Sequence, residues 1–252
     1  DFCLSRGLGD VYKRQVLAWM DSGNLYVAAD GAIAPNSDAS WLFQEFANLK
    51  TIDFGNCFVT SNVTRISGMF DGCSSLTNLD LSGFDTSNVR YMSWMFSSCG
   101  SLTNLDLTSF DTSSVTSMSD MFYSCKSLTS LNLASFNTSS VTDMGSMFDG
   151  CESLTSLDLS GFDTSNVTYM SCIFDGCKSL TSLDLSSFDT SSVEGMPFMF
   201  SDCSSLTHLN LSNFDTSNVI DMSWMFYGCE SLTSLDLTSF DTSCLLYTSD
   251  AA

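Results

Sequence analysis

Apolar residues recur along this chain at a fixed interval of 26 residues. Aligned on phenylalanine, successive copies begin at Phe58, Phe84, Phe110, Phe136, Phe162, Phe188, Phe214 and Phe240. Self-similarity at a period of about 20 to 50 residues is typical of solenoids and repeat arrays. A single copy is too small to close a core of its own, so we expect consecutive copies to stack and to bury each other's apolar faces.

Within one copy the apolar pattern changes its period. In the copy that begins at Phe162, Leu183 and Leu185 alternate with polar residues, which predicts a short strand with the leucines pointing inward. The preceding apolar residues have the 3-1-3 spacing of a helix face: Met170, Ile173, Phe174 and Cys177. The sequence therefore predicts an α/β leucine-rich-repeat solenoid, with one parallel β-sheet of short strands and a short α- or 3₁₀-helix in each 26-residue coil.

Capping residues support the predicted helices. The helix starts would be marked by Ser67, Ser93, Ser119, Gly145, Ser171, Pro197 and Ser223. Their ends would be marked by Gly72, Gly150, Gly176 and Gly228. We interpret the recurring Asp-Thr-Ser differently, as a turn in which a carboxylate such as that of Asp163 accepts nearby backbone N–H groups.

The repeats also set the predicted organisation of the chain. Seven complete copies occupy residues 58–239, and an eighth begins at 240–243. Residues 16–57 differ from the copies, although WLFQEFANLKTIDF (41–54) imitates the helix and strand half of one. Because end repeats of solenoids are atypical, we expect 16–57 to be an N-terminal capping region with a degenerate half repeat.

Both ends of the chain are foreign to this pattern. DVYKRQ (10–15) and CLLYTS (244–249) are translations of the two strands of one DNA element that resembles the transposase end of sequencing adapters. We therefore expect residues 1–15 and 244–252 to be adapter artefacts and exclude them from fold reasoning. The natural protein is then expected to continue beyond both ends, with its signal and anchor missing from this fragment.

Composition excludes some partners. Eight Lys and Arg stand against 29 Asp and Glu, for a formal net charge of −21. Such a chain is expected to avoid nucleic acid and to attract cations or basic proteins. Apolar runs are only a few residues long, far short of the ~20 that a transmembrane helix needs.

Cysteines form a column at the repeat spacing: Cys73, Cys99, Cys125, Cys151, Cys177, Cys203 and Cys229. Parallel Cβ vectors on stacked coils are poorly placed for disulfides, and ligands strung along an axis do not make a tetrahedral metal site. We predict free, buried thiols that act as small apolar side chains. Cys172 falls in an outward position and is predicted to be an exposed thiol, whereas the state of Cys57 is left open.

Two surfaces are candidates for ligand binding. Carboxylates on the exposed, concave face of the predicted sheet would stand about 5 Å apart, where calcium could relieve their repulsion: Asp80, Asp106, Asp158, Asp184 and Asp236. A solvated polar face is the alternative. Aromatic residues on the opposite, convex side point away from the core and are typical of interfaces: Tyr91, Trp94, Tyr123, Tyr169, Phe198, Trp224 and Tyr227.

Catalytic residues are not indicated. His208 is the chain's single histidine, and it occupies a strand position held by Asn or Ser in the other copies. Nucleophilic catalysis needs a serine or cysteine beside an oriented base, and paired-carboxylate catalysis needs two unlike environments. Repeated copies offer nearly identical environments instead, so we predict no catalytic residue, no cofactor and no resident metal.

The repeat phrase resembles one family closely. Met-Phe-x-x-Cys followed by Leu-x-x-Leu-x-Leu appears in full at 69–81, 95–107, 121–133, 147–159, 199–211 and 225–237. Together with the FDTSNV turns, this resembles the BspA-like leucine-rich repeat surface proteins of bacteria, which are also common among mycoplasma surface lipoproteins. In the copy that contains Ile173, that isoleucine replaces the methionine.

The resemblance implies a secreted or cell-surface protein without catalytic residues. Some members bind host matrix or other microbes, so the first hypothesis is a recognition or adhesion module for an extracellular protein or glycan. The second hypothesis is a structural spacer that holds another domain of a larger surface protein away from the cell envelope.

Overall fold

The structure, a computed structural model, describes residues 16–29, 32–55 and 57–243. The predicted adapter artefacts, 1–15 and 244–252, lie outside the described residues. Five strands form: β1 (Val16–Asp21), β2 (Asn24–Ala29), β3 (Thr51–Asp53), β4 (Ser182–Leu183) and β5 (His208–Leu209). In these described ranges no helix is long and apolar enough to cross a membrane.

A small sheet precedes the repeats. Strands β1 and β2 form an antiparallel hairpin, and β3 adds to β2 in parallel, with Leu25 opposite Ile52. Ser22 and Gly23 join the hairpin, with φ of 51° and 90°. Two positive φ angles are what a tight hairpin turn of the right twist requires, which explains a glycine at this point. Leu25 and Ile52 are buried and join the apolar core of the coils.

The repeats stack as a solenoid with parallel pairing between coils. Strands β4 and β5 pair in parallel with Ser182 opposite His208 and Leu183 opposite Leu209. A second column of single parallel bridges joins Asp38, Arg65, Tyr91, Ser117, Asp143, Tyr169, Gly195 and Asp221. The predicted solenoid with parallel strands is therefore confirmed. Regular strands in the Leu-x-x-Leu-x-Leu segments are limited to β4 and β5 in the described part of the chain.

The predicted helix in each coil is wrong. Residues 92–99 form consecutive β-turns instead, in which Met95 N–H donates to the carbonyl of Met92, and Cys99 N–H to that of Phe96. The alternate N–H groups donate to the next coil, as Trp94 does to Ser119 at 2.9 Å. No α-helix or 3₁₀-helix forms among the described residues.

Left-handed residues keep each turn from continuing as a helix. Trp94 and Ser98 have φ of 60° and 57° and occupy the third position of their turns. A type II turn requires positive φ there and therefore favours glycine. The glycines predicted to end helices fill these turn positions, as Gly72 does with φ of 72°.

The core consists of columns of identical side chains. The rings of Phe43, Phe70, Phe96, Phe122, Phe148, Phe174, Phe200 and Phe226 stack with centroids 5.6–5.9 Å apart and planes within 10° of parallel. Methionines and leucines of the same coils are buried beside them. Offset stacking suits the aromatic quadrupole, so one ring in each coil gives both apolar burial and a preferred register.

Threonine forms a second column that joins the coils by hydrogen bonds. Thr138 Oγ1 donates to the carbonyl of Asp163 at 2.8 Å and accepts the N–H of the same residue at 2.8 Å. The same pair of bonds recurs at Thr60, Thr86, Thr112, Thr164, Thr190 and Thr216. These threonines are buried, so a single hydroxyl satisfies two backbone groups that water does not reach.

Candidate interaction surface

The cysteine column is buried, as predicted, and its thiols are free. Each sulfur donates to the phenylalanine carbonyl of the preceding coil, as Cys177 does to Phe148 at 3.2 Å. Burial raises the pKa of these thiols, to about 12 for Cys125. The neutral thiol is therefore the stable form, and these cysteines are poorly suited to nucleophilic or metal chemistry.

The Asp80 row is exposed, and each carboxylate has a partner in its own turn. The N–H two positions later donates to Asp80, Asp106, Asp158, Asp184 and Asp236 at 2.9–3.0 Å. These hydrogen bonds lower the pKa of the carboxyls, so the groups stay ionised without a cation. Calcium binding by this row stays a prediction, and the geometry gives it no added support.

Asp163 behaves as the turn hypothesis requires. Its Oδ1 accepts the N–H of Ser165 at 3.1 Å and the hydroxyl of Ser165 at 2.7 Å. His208, the other polar residue singled out in the sequence, is exposed on β5, and its Nδ1 lies 3.0 Å from Thr207 Oγ1. Neither arrangement provides an oriented base for a nucleophile.

The consecutive turns display two columns of side chains on the outside of the solenoid, which we call the turn face. The first column is Trp41, Gly68, Trp94, Asp120, Ser146, Cys172, Phe198 and Trp224. The second column is Gln44, Asp71, Ser97, Tyr123, Asp149, Asp175, Ser201 and Tyr227. All eight residues of the first column have positive φ, between 53° and 61°.

One aromatic cluster lies near the N-terminal end of the turn face. The rings of Trp41 and Trp94 lie 5.5 Å apart, and the Trp41 ring covers Gly68, where a Cβ would fall 1.9 Å from a ring carbon. Trp94 is 44% exposed, and Tyr123 in the next coil is also exposed. Gly68 therefore leaves space for a tryptophan pair that stays open to solvent.

A second aromatic cluster lies near the C-terminal end. The Phe198 and Trp224 rings stack with centroids 6.3 Å apart, and Tyr227 meets Trp224 edge-on at 5.1 Å. Trp224 and Tyr227 are 54% and 56% exposed, whereas Phe198 is half-buried. The two other predicted aromatics, Tyr91 and Tyr169, belong to the neighbouring bridge column instead.

Between the clusters lies an acidic centre that sequence reasoning missed. Asp149, Cys172 and Asp175 are half-buried, and their side-chain oxygen and sulfur atoms lie within 4.8 Å of one another. Desolvation, and then the charges of Asp175 and Asp120, raises the pKa of Asp149 to about 7. Alignment of the copies would have revealed the grouping, because Asp149 and Asp175 occupy one column beside Cys172.

The chemistry of the acidic centre is that of unbalanced negative charge. Desolvation raises the pKa of Asp175 and Asp120, and desolvation with the nearby aspartates raises that of Cys172 to about 11. Two carboxylates and a thiol could surround one ion, but these shifts disfavour the ionised forms that metal ligands adopt. Cys172, predicted to be an exposed thiol, is half-buried at this centre.

Comparisons with solved structures found bacterial leucine-rich repeat proteins. The T. pallidum leucine-rich repeat protein is 21% identical, covers 76% of this chain and 87% of its own, and has a TM-score of 0.46. A leucine-rich repeat protein of Eubacterium ventriosum is 16% identical, with coverage of 89% on both sides and a TM-score of 0.24. A leucine-rich cell surface protein of Faecalibacterium prausnitzii is 13% identical, with coverage of 86% and 93% and a TM-score of 0.26.

At these TM-scores the fold assignment rests on the hydrogen bonds and buried columns described above. A comparison with curated proteins returned no match. The family model described as "Mycoplasma protein of unknown function, DUF285" matches residues 37–157 and 147–250, which together span most of the chain. This match confirms the BspA-like resemblance of the repeat phrase, and the chain belongs to the DUF285 family.

Proposed function

We propose that the array is a non-enzymatic protein-interaction module of the bacterial cell surface, used for adhesion to host matrix or to other microbes. Its contact surface is the turn face. The observation that carries the proposal is a set of exposed aromatic rings at positions where the backbone disfavours them. Family membership and the BspA-like repeat phrase support the surface location.

The backbone geometry makes these aromatics costly. A non-glycine residue in the left-handed region costs roughly 1 to 2 kcal/mol relative to glycine. Trp94 and Trp224 occupy that region with φ of 60° and 59°, although Gly68 fills the same column. Both rings also remain exposed, so they contribute little to the core. Strain that the core does not repay is typical of residues retained for contact with a partner.

The interaction test uses two substitutions that the column itself tolerates. Ser146 occupies the same column with φ of 53°, so Trp94→Ser and Trp224→Ser place a residue type already found there. Interface tryptophans often contribute 2 kcal/mol or more, and about 1.4 kcal/mol is a tenfold change in Kd. We expect the double variant to bind extracellular matrix proteins at least tenfold more weakly in biolayer interferometry.

Trp19→Ser is the matched control, because Trp19 is exposed on β1 outside the turn face. Its binding should equal that of the unchanged chain. Equal binding by the double variant and the unchanged chain, with the repeat fold intact by circular dichroism, would remove the turn face as the contact surface.

A structural spacer is the second candidate, and the continuous columns favour it. One phenylalanine stack runs from Phe43 to Phe226 without a break, so the coils share a single core. A chain that binds none of the matrix or bacterial surface preparations tested would favour this role over adhesion.

A further inference from the structure

The turn face has the charge and the aromatic rings to receive positively charged side chains. Asp120, Asp149 and Asp175 are half-buried within it, and their own mutual repulsion and desolvation oppose their ionisation. In the described ranges, both lysine ion pairs fall on Glu152 instead, through Lys126 and Lys178 at 3.3 Å. A cationic group from a partner would therefore find carboxylates that the chain's own lysines do not neutralise.

The flanking aromatics favour the same kind of partner. Guanidinium and ammonium groups bind the faces of tryptophan and tyrosine when they lie within about 6 Å of the ring centre. The molecule already contains such a contact beside the turn face, where the Arg65 guanidinium lies 4.1 Å from the centre of the Tyr91 ring. Trp94 and Trp224 offer open faces of the same chemistry at either side of the acidic centre.

Spacing along the solenoid matches an extended polypeptide. Coils are 5.8 Å apart at the phenylalanine stack, so five coils put Trp224 about 29 Å from Trp94, the length of roughly nine extended residues. Alternate side chains of an extended strand recur about every 6.6 Å and would meet successive coils. The net charge of −21 opposes anionic surfaces such as nucleic acids and acidic lipids.

We propose that the turn face binds an extended, arginine- or lysine-rich polypeptide segment, with cationic side chains on the acidic centre and on the flanking tryptophans. This inference rests on the proposed function, because it names the partner chemistry of the same surface.

The test uses a fluorescein-labelled peptide of alternating arginine and serine, ten residues long, and fluorescence polarisation with the whole chain. The matched peptide replaces arginine by citrulline, which keeps the shape and removes the charge. We expect the arginine peptide to bind at least tenfold more tightly than the citrulline peptide. Binding should weaken severalfold between about 0.02 and 0.15 M salt, because screening lengthens with dilution.

Two double variants with the same charge change locate the site. Asp149→Asn with Asp175→Asn should weaken the arginine peptide at least tenfold. Asp158→Asn with Asp184→Asn, in the same two coils but in the exposed Asp80 row, should leave it unchanged. Equal loss in both variants would reduce the binding to general charge attraction and overturn the inference. Equal binding of the two peptides would overturn it in favour of a neutral ligand such as a glycan.

The outcome is separable from that of the proposed function. If matrix proteins bind through Trp94 and Trp224 but the arginine peptide does not bind, the cationic partner is wrong and the interaction module stands. If the tryptophan variants bind every partner as the unchanged chain does, both proposals fail.

Discussion

Thr138→Val is the substitution that best tests how the coils are held together. Valine has nearly the same shape as threonine, so the change removes a hydroxyl without leaving a cavity. The Thr138 side chain is 1% exposed, and its hydroxyl is bonded to both the N–H and the carbonyl of Asp163. The substitution therefore leaves two backbone groups of the next coil without partners in a site that water does not reach.

The expected cost follows from those two groups. An orphaned buried donor or acceptor costs about 1 to 3 kcal/mol, so Thr138→Val should destabilise the array by about 2 to 4 kcal/mol. For a chain of this size, 1 kcal/mol corresponds to a Tm change of about 2 to 4 °C. Thr138→Ser keeps the hydroxyl and loses one methyl group, for which about 1 kcal/mol is expected.

Thr142→Val is the matched control. Thr142 is exposed, and its hydroxyl donates to the carbonyl of Thr116 at 3.2 Å. That carbonyl also accepts the backbone N–H of Thr142 at 2.9 Å, so it keeps a partner in the variant. A change within about 0.5 kcal/mol is expected there, as for most surface substitutions.

Urea unfolding measures the free energies, and amide hydrogen exchange locates the effect. Repeat arrays unfold through neighbouring units, so a weakened contact should open its own coils first. The amide of Asp163 should exchange faster in Thr138→Val, while the amide of Asp85, bonded to Thr60 at 2.8 Å, should change much less. A Thr138→Val free energy within 0.5 kcal/mol of the Thr142→Val value, a limit about as small as a surface effect, would refute the reasoning.

Two further predictions concern the acidic centre and the thiols. The folded-state pKa of Asp149 is raised to about 7, above its ordinary value of 3.8, so folding retains a proton that the unfolded chain releases. Stability should therefore fall as pH rises from about 4 to 7, and Asp149→Asn should raise the Tm at pH 8 by roughly 2 to 4 °C after allowance for solvent screening, with a gain that shrinks on acidification; an unchanged Tm at both pH values would contradict this. Iodoacetamide at high pH should modify half-buried Cys172 in the folded chain and fully buried Cys177 only after unfolding, as peptide mapping would show; equal modification of both in the folded chain would contradict the buried column.

The apolar columns could be predicted from the sequence because they depend only on spacing. Leu183, Leu185, Phe174 and Cys177 recur every 26 residues, and stacking alone forces such positions into one core. Their burial is confirmed. The threonine column escaped prediction because its role depends on a hydrogen bond to the next coil, which the local Asp-Thr-Ser pattern does not reveal.

The helix prediction failed for a specific physical reason. Consecutive turns place Met92, Met95, Phe96 and Cys99 inward at the same 3-1-3 spacing as a helix. What distinguishes them is the backbone sign at every fourth residue, and the pair Gly68 and Gly72 is its trace in the sequence. Glycines four apart are unfavourable inside a helix and favourable in successive turns with left-handed third residues.

The acidic centre depends on neighbours from different coils. Asp149 and Cys172 are far from adjacent in any one copy, and their proximity appears only when the column register is known. Their half-burial depends further on the side chains around them, so the raised pKa of Asp149 could not be predicted from the repeat phrase.

The fixed offset of the phenylalanine, cysteine and threonine contacts has a consequence for the gene. Recombination between near-identical copies adds or deletes whole coils, and each surviving contact finds the same partner type at the same offset. A single inserted codon would instead displace one ring, one thiol and one hydroxyl from their columns. Inheritance of this architecture thus tolerates variation in copy number and selects against insertions inside a copy, so that the length of the solenoid can evolve while its cross-section stays constant.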